Sequence, residues 1–362
     1  MMNPFLENTL PYEIGEKDKR TFLFDRLSQL EAFHIRFCDD YKKISQNLSK
    51  QNLEIEDFIY IPAPIFKQHE LISVSKDTIK KMINSSSTSS NTPSKVFFDQ
   101  NTLNLQRISV HNLLTSFIGA ERRPYIIFDD RKTAQGKNSM SARGAALMSL
   151  MGFSKKFFFV MKEKNGQLNL DMDALSQALE YAEKEGGFIS YGFTWILHLV
   201  HEQLLKNNFQ FNAGKLKNVY FLHSGGWKKL LDKAVDKETY NKNIANVWNI
   251  SPSQVVDFYG MAELVGLVFP DCEYNVKHVP YYADIIVRDV NSFEPVINKP
   301  GYMQFISLLG QSAPTHSVLT EDIGEIVSID SCACGRKGKA FKFIGRSTKA
   351  EVRGCGDIYA SK

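Results

Sequence analysis

Cys355 stands between Gly354 and Gly356, two residues after Arg353, in the segment EVRGCGD of a chain of 362 residues. A thiolate is the better nucleophile, a neighbouring guanidinium favours that ionised form, and flanking glycines leave the backbone free to swing. Such a residue could attack an activated acyl group and carry it as a thioester. The competing reading is an exposed, unreactive tail thiol, and the rest of the chain has to decide between the two.

Three other cysteines form a second pattern. Cys272 and His278 flank five residues, and Cys332 and Cys334 flank one in SCACGRKG, which makes a Cys₃His set from two distant loops. Soft ligands of this kind suit tetrahedral Zn²⁺, here in a structural role that pins a β region close to the tail. Unligated loop thiols are the alternative. Cys38 falls inside a helical apolar pattern and reads as core.

Further strings offer what nucleotide chemistry requires. Activating a carboxylate as its adenylate needs an anion-binding loop, a surface for adenine, a carboxylate for the ribose hydroxyls and a Mg²⁺ ligand. SSSTSSNTPSK, residues 85–95, is a flexible linker by composition. Chemically it is a hydroxyl-rich loop followed by Lys95, able to hold a triphosphate. HSGGW ends a strand-like run with Gly225 and Gly226, which would let a purine approach the backbone. FYGMAE offers Tyr259 as a stacking face and Glu263 as a hard oxygen ligand for Mg²⁺. LTEDIGE supplies Asp322 for ribose, and IGRSTKAEVRG supplies Arg346 and Lys349. Each string alone also fits a strand end or a solvated loop; their order and spacing together say more.

The elements that must position these residues follow from periodicity. Apolar positions at helical spacing over 20–50 predict one or two N-terminal helices, and DFIYIPAPIFK reads as an extended segment interrupted by Pro62 and Pro64. From 124 to 260, strands at YIIFDD, KFFFVMK, GFISYG, NVYFLHSGG and VVDFYG alternate with helical stretches near 141–151, 171–185, 194–207 and 227–246. That alternation predicts an α/β fold with an at least partly parallel sheet. After 264, short β-like runs (ADIIVRDV, YMQFISLL, IGEIVSI, AFKFIG) predict a smaller β subdomain.

Composition sets outer limits. With 43% hydrophobic residues the chain can bury a large core, and a net charge of +4 from 44 basic and 40 acidic residues gives no argument for nucleic acid. The apolar stretch FISYGFTWILHLVHEQLL contains His198, His201 and Glu202, so it reads as buried and amphipathic rather than membrane-spanning. The N-terminus lacks the apolar core of a signal peptide, which predicts a cytoplasmic protein, and five cysteines without that signal favour metal or thiol chemistry over disulfides.

Taken together, the strings resemble the adenylate-forming enzymes, and among them the acyl-protein synthetases of the bacterial fatty acid reductase complex, with phenylacetate–CoA ligases as cousins. The resemblance runs from about residue 55 to the end. SSSTSSNTPSKVFFD is similar to the phosphate loop, HSGGWK to a GGGWK segment, FYGMAE to YGxTE, and TEDIG to the ribose-binding Asp motif. KHVPYYADIIVRD and RGC resemble segments of the acyl-protein synthetases in particular.

The resemblance implies an α/β large domain with a small β subdomain, the small C-terminal domain of the larger ligases being reduced to a short tail. Its expected divisions are a helical region 1–55, an adenylating core 56–264, a β subdomain with the zinc site 265–345, and a tail 346–362. It implies phosphate contacts from Ser86, Thr88 and Lys95, adenine contacts from Gly225, Gly226 and Tyr259, Mg²⁺ at Glu263, and ribose at Asp322 with Arg346 nearby. Cys355 would carry the acyl group. ATP, Mg²⁺ and structural Zn²⁺ are the expected cofactors; a long-chain fatty acid is the expected substrate, and an acyl-accepting reductase or carrier protein the expected partner. The alternatives are an acyl- or aryl-CoA ligase, disfavoured by the expected reduction of the C-terminal domain to a tail, and a non-catalytic subunit that binds nucleotide or a partner. The second draws support from Ser87 and Ser90, which stand where the family loop has glycines.

Overall fold

A computed structural model describes residues 6, 9–48, 53–84, 93–134, 139–264 and 266–347. These form two compact units, one from residues up to Phe117 together with those from Gly260 onward, the other from Ile118–Tyr259.

The second unit is a parallel sheet. Its strands run in the order Ser154–Phe159, Arg123–Ile127, Gly187–Phe193, Asn218–Ser224 and Val255–Tyr259. Every residue of Arg123–Ile127 and of Gly187–Phe193 is buried, as expected of central strands covered on both faces. The helices between strands begin and end on recognisable signals. Asp171 caps the helix Met172–Glu185 by accepting from the Ala174 N–H, and Gly186 closes it at φ 76°. Asp236 likewise caps Lys237–Trp248 through the Thr239 N–H.

Two sequence expectations change here. The helix expected over 227–246 is a 3₁₀ turn, Lys228–Lys233, followed by a separate helix from Lys237, because Asp236 starts a new cap. KFFFVMK divides between the sheet strand Ser154–Phe159 and a strand Met161–Lys164 that pairs antiparallel with Gln167–Leu170. The core gathers Ile126, Phe188, Phe221 and Trp248. His201 lies within it as a neutral ring: Nδ1–H donates to the Leu197 carbonyl at 2.6 Å and Nε2 accepts from Trp248 Nε1–H at 2.7 Å.

The first unit is built on a mostly antiparallel sheet. Its order is Lys277–His278, Lys339–Arg346, Ser317–Ile329, Gly301–Ser307, Ala283–Arg288 and Pro295–Val296, with Ile61–Pro62 parallel to Ser317–Ile329. A hairpin of Ile79–Asn84 and Lys95–Asp99 leads into the helix Gln100–Ile118, whose first turn is capped by Asp99 through the Thr102 N–H. The helices Glu16–Phe37 and Asp39–Leu48 belong to this unit. The first is tied down by a buried charge network missed in the sequence. Lys19 lies 3.1 Å from both Glu16 and Asp284, and Lys339 lies 2.7 Å from Asp284 and 3.4 Å from Glu16. Among the described residues, no helix is long and apolar enough to cross a membrane.

Candidate active site and metal centre

In the first unit, three residues singled out from the sequence converge. The strands Ser317–Ile329 and Lys339–Arg346 pair Asp322 directly with Arg346, and Arg346 Nε–H donates to Asp322 Oδ1 at 3.2 Å. Asp322 is held in the strand by its own N–H, which donates to Thr320 Oγ1. Glu263 is only 4% exposed. Burial pushes its carboxyl above the usual glutamate range against a hydrogen bond from Ser94 and the charge of Arg346, while Asp322 adds to the rise. Two largely buried carboxylates beside one partly exposed guanidinium leave an excess of hard oxygen donors, and a divalent cation such as Mg²⁺ suits that set.

Ser94 was missed in the sequence, although it lies at the end of the hydroxyl-rich run. Lys95, next to it, opens the strand Lys95–Asp99 and pairs with Glu70 at 3.1 Å. Ser86, Thr88, Ser87, Ser90, Lys349 and Cys355 lie outside the described residues.

In the second unit, the candidate residues occupy the C-terminal ends of adjacent parallel strands, where α/β sheets bind ligands. Gly225 and Gly226 follow the strand Asn218–Ser224 at φ 85° and 62°, left-handed values that suit glycine and turn the chain sharply. Tyr259 ends the neighbouring strand and is half-buried. Around them lies a network the motifs did not mark. Thr194 Oγ1–H donates to the Ser224 carbonyl at 3.1 Å and lies 3.0 Å from His223 Nδ1, and Tyr240 O–H donates to the Thr194 carbonyl at 3.1 Å. The available signal was position: Thr194 directly follows the strand Gly187–Phe193.

The Cys₃His set assembles entirely within the first unit. The ligand atoms of Cys272, His278, Cys332 and Cys334 all lie within 4.8 Å of one another, and His278 Nε2 is 3.1 Å from Cys334 Sγ. Tight loops present them: Asn275, at φ 59°, turns the chain back so that the Cys272 N–H meets the Val276 carbonyl, and Gly335, at φ 82°, turns the Cys332–Cys334 loop. Burial holds the His278 imidazole down at about 4, with Arg336 contributing, so it is neutral and able to ligate. Burial pushes the Cys272 thiol up. It acts the same way on Cys334, but hydrogen bonds from the backbone and guanidinium of Arg336 outweigh it and lower that thiol. Arg336, another residue missed in the sequence, is itself fixed by Glu273 at 3.0 Å, the Ser116 carbonyl at 2.9 Å and the ring of Phe117. Four convergent soft ligands with an adjacent cation fit one tetrahedral Zn²⁺, whose three thiolates would leave a net negative charge.

Comparison with known proteins identifies the class first. Over 92% of this chain and 76% of the other, the fold superposes on an open conformation of 2-hydroxyisobutyryl-CoA ligase in complex with 2-HIB-AMP and CoA, with a TM-score of 0.68 at 14% identity. The same ligase in its postadenylation state gives 0.69 over 92% of this chain and 69% of that one, again at 14% identity. The fold is therefore that of the adenylate-forming ligases. Within that class, residues 4–362 match the profile of the family described as acyl-protein synthetase, LuxE, and the chain belongs to that family. A long-chain-fatty-acid–luciferin-component ligase of Vibrio harveyi is 23% identical over 333 residues, 89% of this chain and 83% of that protein. Its namesake from Aliivibrio fischeri is 25% identical over 141 residues, 38% of this chain and 36% of that protein.

Proposed function

We propose that the chain activates a long-chain fatty acid at the expense of ATP and holds the product as a thioester on Cys355. The carboxylate attacks the α-phosphorus of ATP and pyrophosphate departs; the Cys355 thiolate then attacks the acyl carbonyl carbon of the adenylate, the thioester forms and AMP leaves. An acyl-accepting reductase or carrier protein would take the acyl group in turn. Family membership supports this reading, and the convergence of Glu263, Asp322 and Arg346 carries it to particular residues.

In this reading Asp322 accepts hydrogen bonds from the ribose hydroxyls and Glu263 holds Mg²⁺, which would offset charge on the phosphates. Gly225, Gly226 and Tyr259 receive adenine, while Ser86, Thr88 and Lys95 meet the phosphates. Arg346 positions Asp322. The Cys₃His set holds zinc in a structural role.

The test is acylation of the full chain with ATP, Mg²⁺ and labelled long-chain fatty acid. A hydroxylamine-sensitive label is expected on Cys355 alone, and Cys355→Ser is expected to keep carboxylate-dependent pyrophosphate exchange into ATP while losing that label. Thioester labelling that persists in Cys355→Ser would refute the carrier role. Absence of any exchange in the wild type would refute the activation itself.

A further inference from the structure

Tyr12 is buried, and its hydroxyl has no hydrogen-bond partner among the described residues. An unsatisfied buried hydroxyl costs about 1–3 kcal/mol, so phenylalanine would fill the same space more stably. Packing alone gives no reason for a phenol at this position. Its surroundings do. The ring stands edge-on to His278, 6.0 Å between centroids, and edge-on to Phe117 at 5.8 Å. Arg336, the cation beside Cys334, covers Phe117. Burial first, with Cys334 reinforcing and Arg336 opposing, holds the phenol far above its usual ionisation range, so it keeps its proton. The backbone around it is fixed as well: Tyr281 N–H donates to the Pro11 carbonyl and Lys337 N–H to the Tyr12 carbonyl, each at 2.9 Å.

We propose that Tyr12 belongs to the metal centre, its hydroxyl donating to a thiolate of the Cys272, Cys332 and Cys334 set when zinc is bound. This rests on the reading that the set holds zinc. Three thiolates and a neutral imidazole around a divalent ion leave one negative charge, and donors to sulfur stabilise it. Arg336 supplies one such donor and Tyr12 a second. Protonated thiols are weak acceptors, so the hydroxyl is a burden in the metal-free protein and a support in the loaded one. Zinc thereby secures the segment that precedes the helix Glu16–Phe37.

Tyr12→Phe, made in the full chain, removes the hydroxyl and keeps the ring. Zinc affinity, read by competition with a chromophoric chelator, should fall about 10- to 100-fold. Thermal unfolding of the chelator-stripped variant should match or exceed that of stripped wild type, while the zinc-loaded variant should be less stable than loaded wild type. The thiolate-to-metal charge-transfer band of the Co²⁺-substituted protein should also shift. Unchanged zinc affinity in Tyr12→Phe, or an equal loss of stability in both states, overturns the inference and leaves the zinc reading standing. Wild-type protein that takes up no zinc overturns both.

Discussion

Arg346 Nε lies 3.2 Å from Asp322 Oδ1, on strands where the two residues face each other directly. The Arg346 side chain is 42% exposed, so the pair itself adds little to stability. The value of Asp322 lies in its other lone pairs. Asp322→Ala is therefore expected to leave the unfolding midpoint nearly unchanged while removing charge-assisted bonds to ribose of about 1.5–3 kcal/mol, roughly 10- to 100-fold in ATP affinity. Equilibrium ATP binding by a folded Asp322→Ala protein at wild-type affinity would sink the ribose assignment.

The network of Lys19, Glu16, Asp284 and Lys339 predicts the opposite pattern, a loss of stability with no direct effect on nucleotide. Asp284 is fully buried; burial works to raise its pKa, yet Lys19 and Lys339 hold it at about 2. Asp284→Ala would leave two buried ammonium groups sharing the Glu16 carboxylate, with the Ile285 carbonyl on Lys339, at a cost of about 3–5 kcal/mol. Urea unfolding followed by the far-UV signal would check it, and a loss under 1 kcal/mol would mean that water reaches the lysines.

How much of this was readable from the sequence depended on how local each signal was. The strands Asn218–Ser224 and Val255–Tyr259 announced themselves as apolar runs ended by Gly or by a turn, and Cys332-x-Cys334 with Cys272-x₅-His278 has the spacing of metal ligands. Lys19 and Asp284 sit 265 residues apart, and neither stands in a string that distinguishes a buried ion pair from a solvated one. Tyr12 was invisible for the same reason: only the fold brings its ring to His278. The break between Lys228–Lys233 and Lys237–Trp248 was missed because apolar periodicity continues across it, while the cap at Asp236 is a single residue.

Acid should weaken the first unit through a histidine pair. His34 and His316 are fully buried and stacked at 4.9 Å; His34 bonds Ser73 Oγ and the Gly310 carbonyl, and His316 Nε2 meets Tyr41 O–H, which in turn faces Glu31. Burial holds His34 at about 4, and burial with the neighbouring His34 holds His316 well below the usual value. Both are neutral in the fold and take up protons when unfolded. Their contribution is therefore intact above about pH 6.5 and lost progressively as pH falls toward 4, on the order of 3 kcal/mol for His34 alone. The contribution of Asp284 is lost only as pH falls through the unfolded carboxyl range near 4 and below, so it adds little between pH 7 and about 4.5. Unfolding free energy measured from pH 7 to 4.5 should fall, and His34→Gln, which cannot protonate, should flatten the slope. Equal slopes in the two proteins would remove His34 as the cause.

The metal centre makes the last prediction. His278 is neutral and its Nε2 faces Cys334, while Arg336 lowers the Cys334 thiol, so two of the four ligands are set up for Zn²⁺ near neutral pH. Protein purified without chelator should carry about one zinc per chain by elemental analysis, the stoichiometry of a single four-ligand structural site. Cys332→Ser and Cys334→Ser should each lose most of it. Structural zinc contributes on the order of 10 kcal/mol to the folding of small modules. In a unit with its own apolar core the share should be smaller, but unfolding should still shift downward on chelation. Both cysteines lie on the loop between the strands Ser317–Ile329 and Lys339–Arg346, which carry Asp322 and Arg346. Chelation should therefore weaken ATP binding through these two strands. Full zinc content in Cys334→Ser would show that the four residues do not act as one site, and ATP affinity indifferent to chelation would confine the metal to local stability.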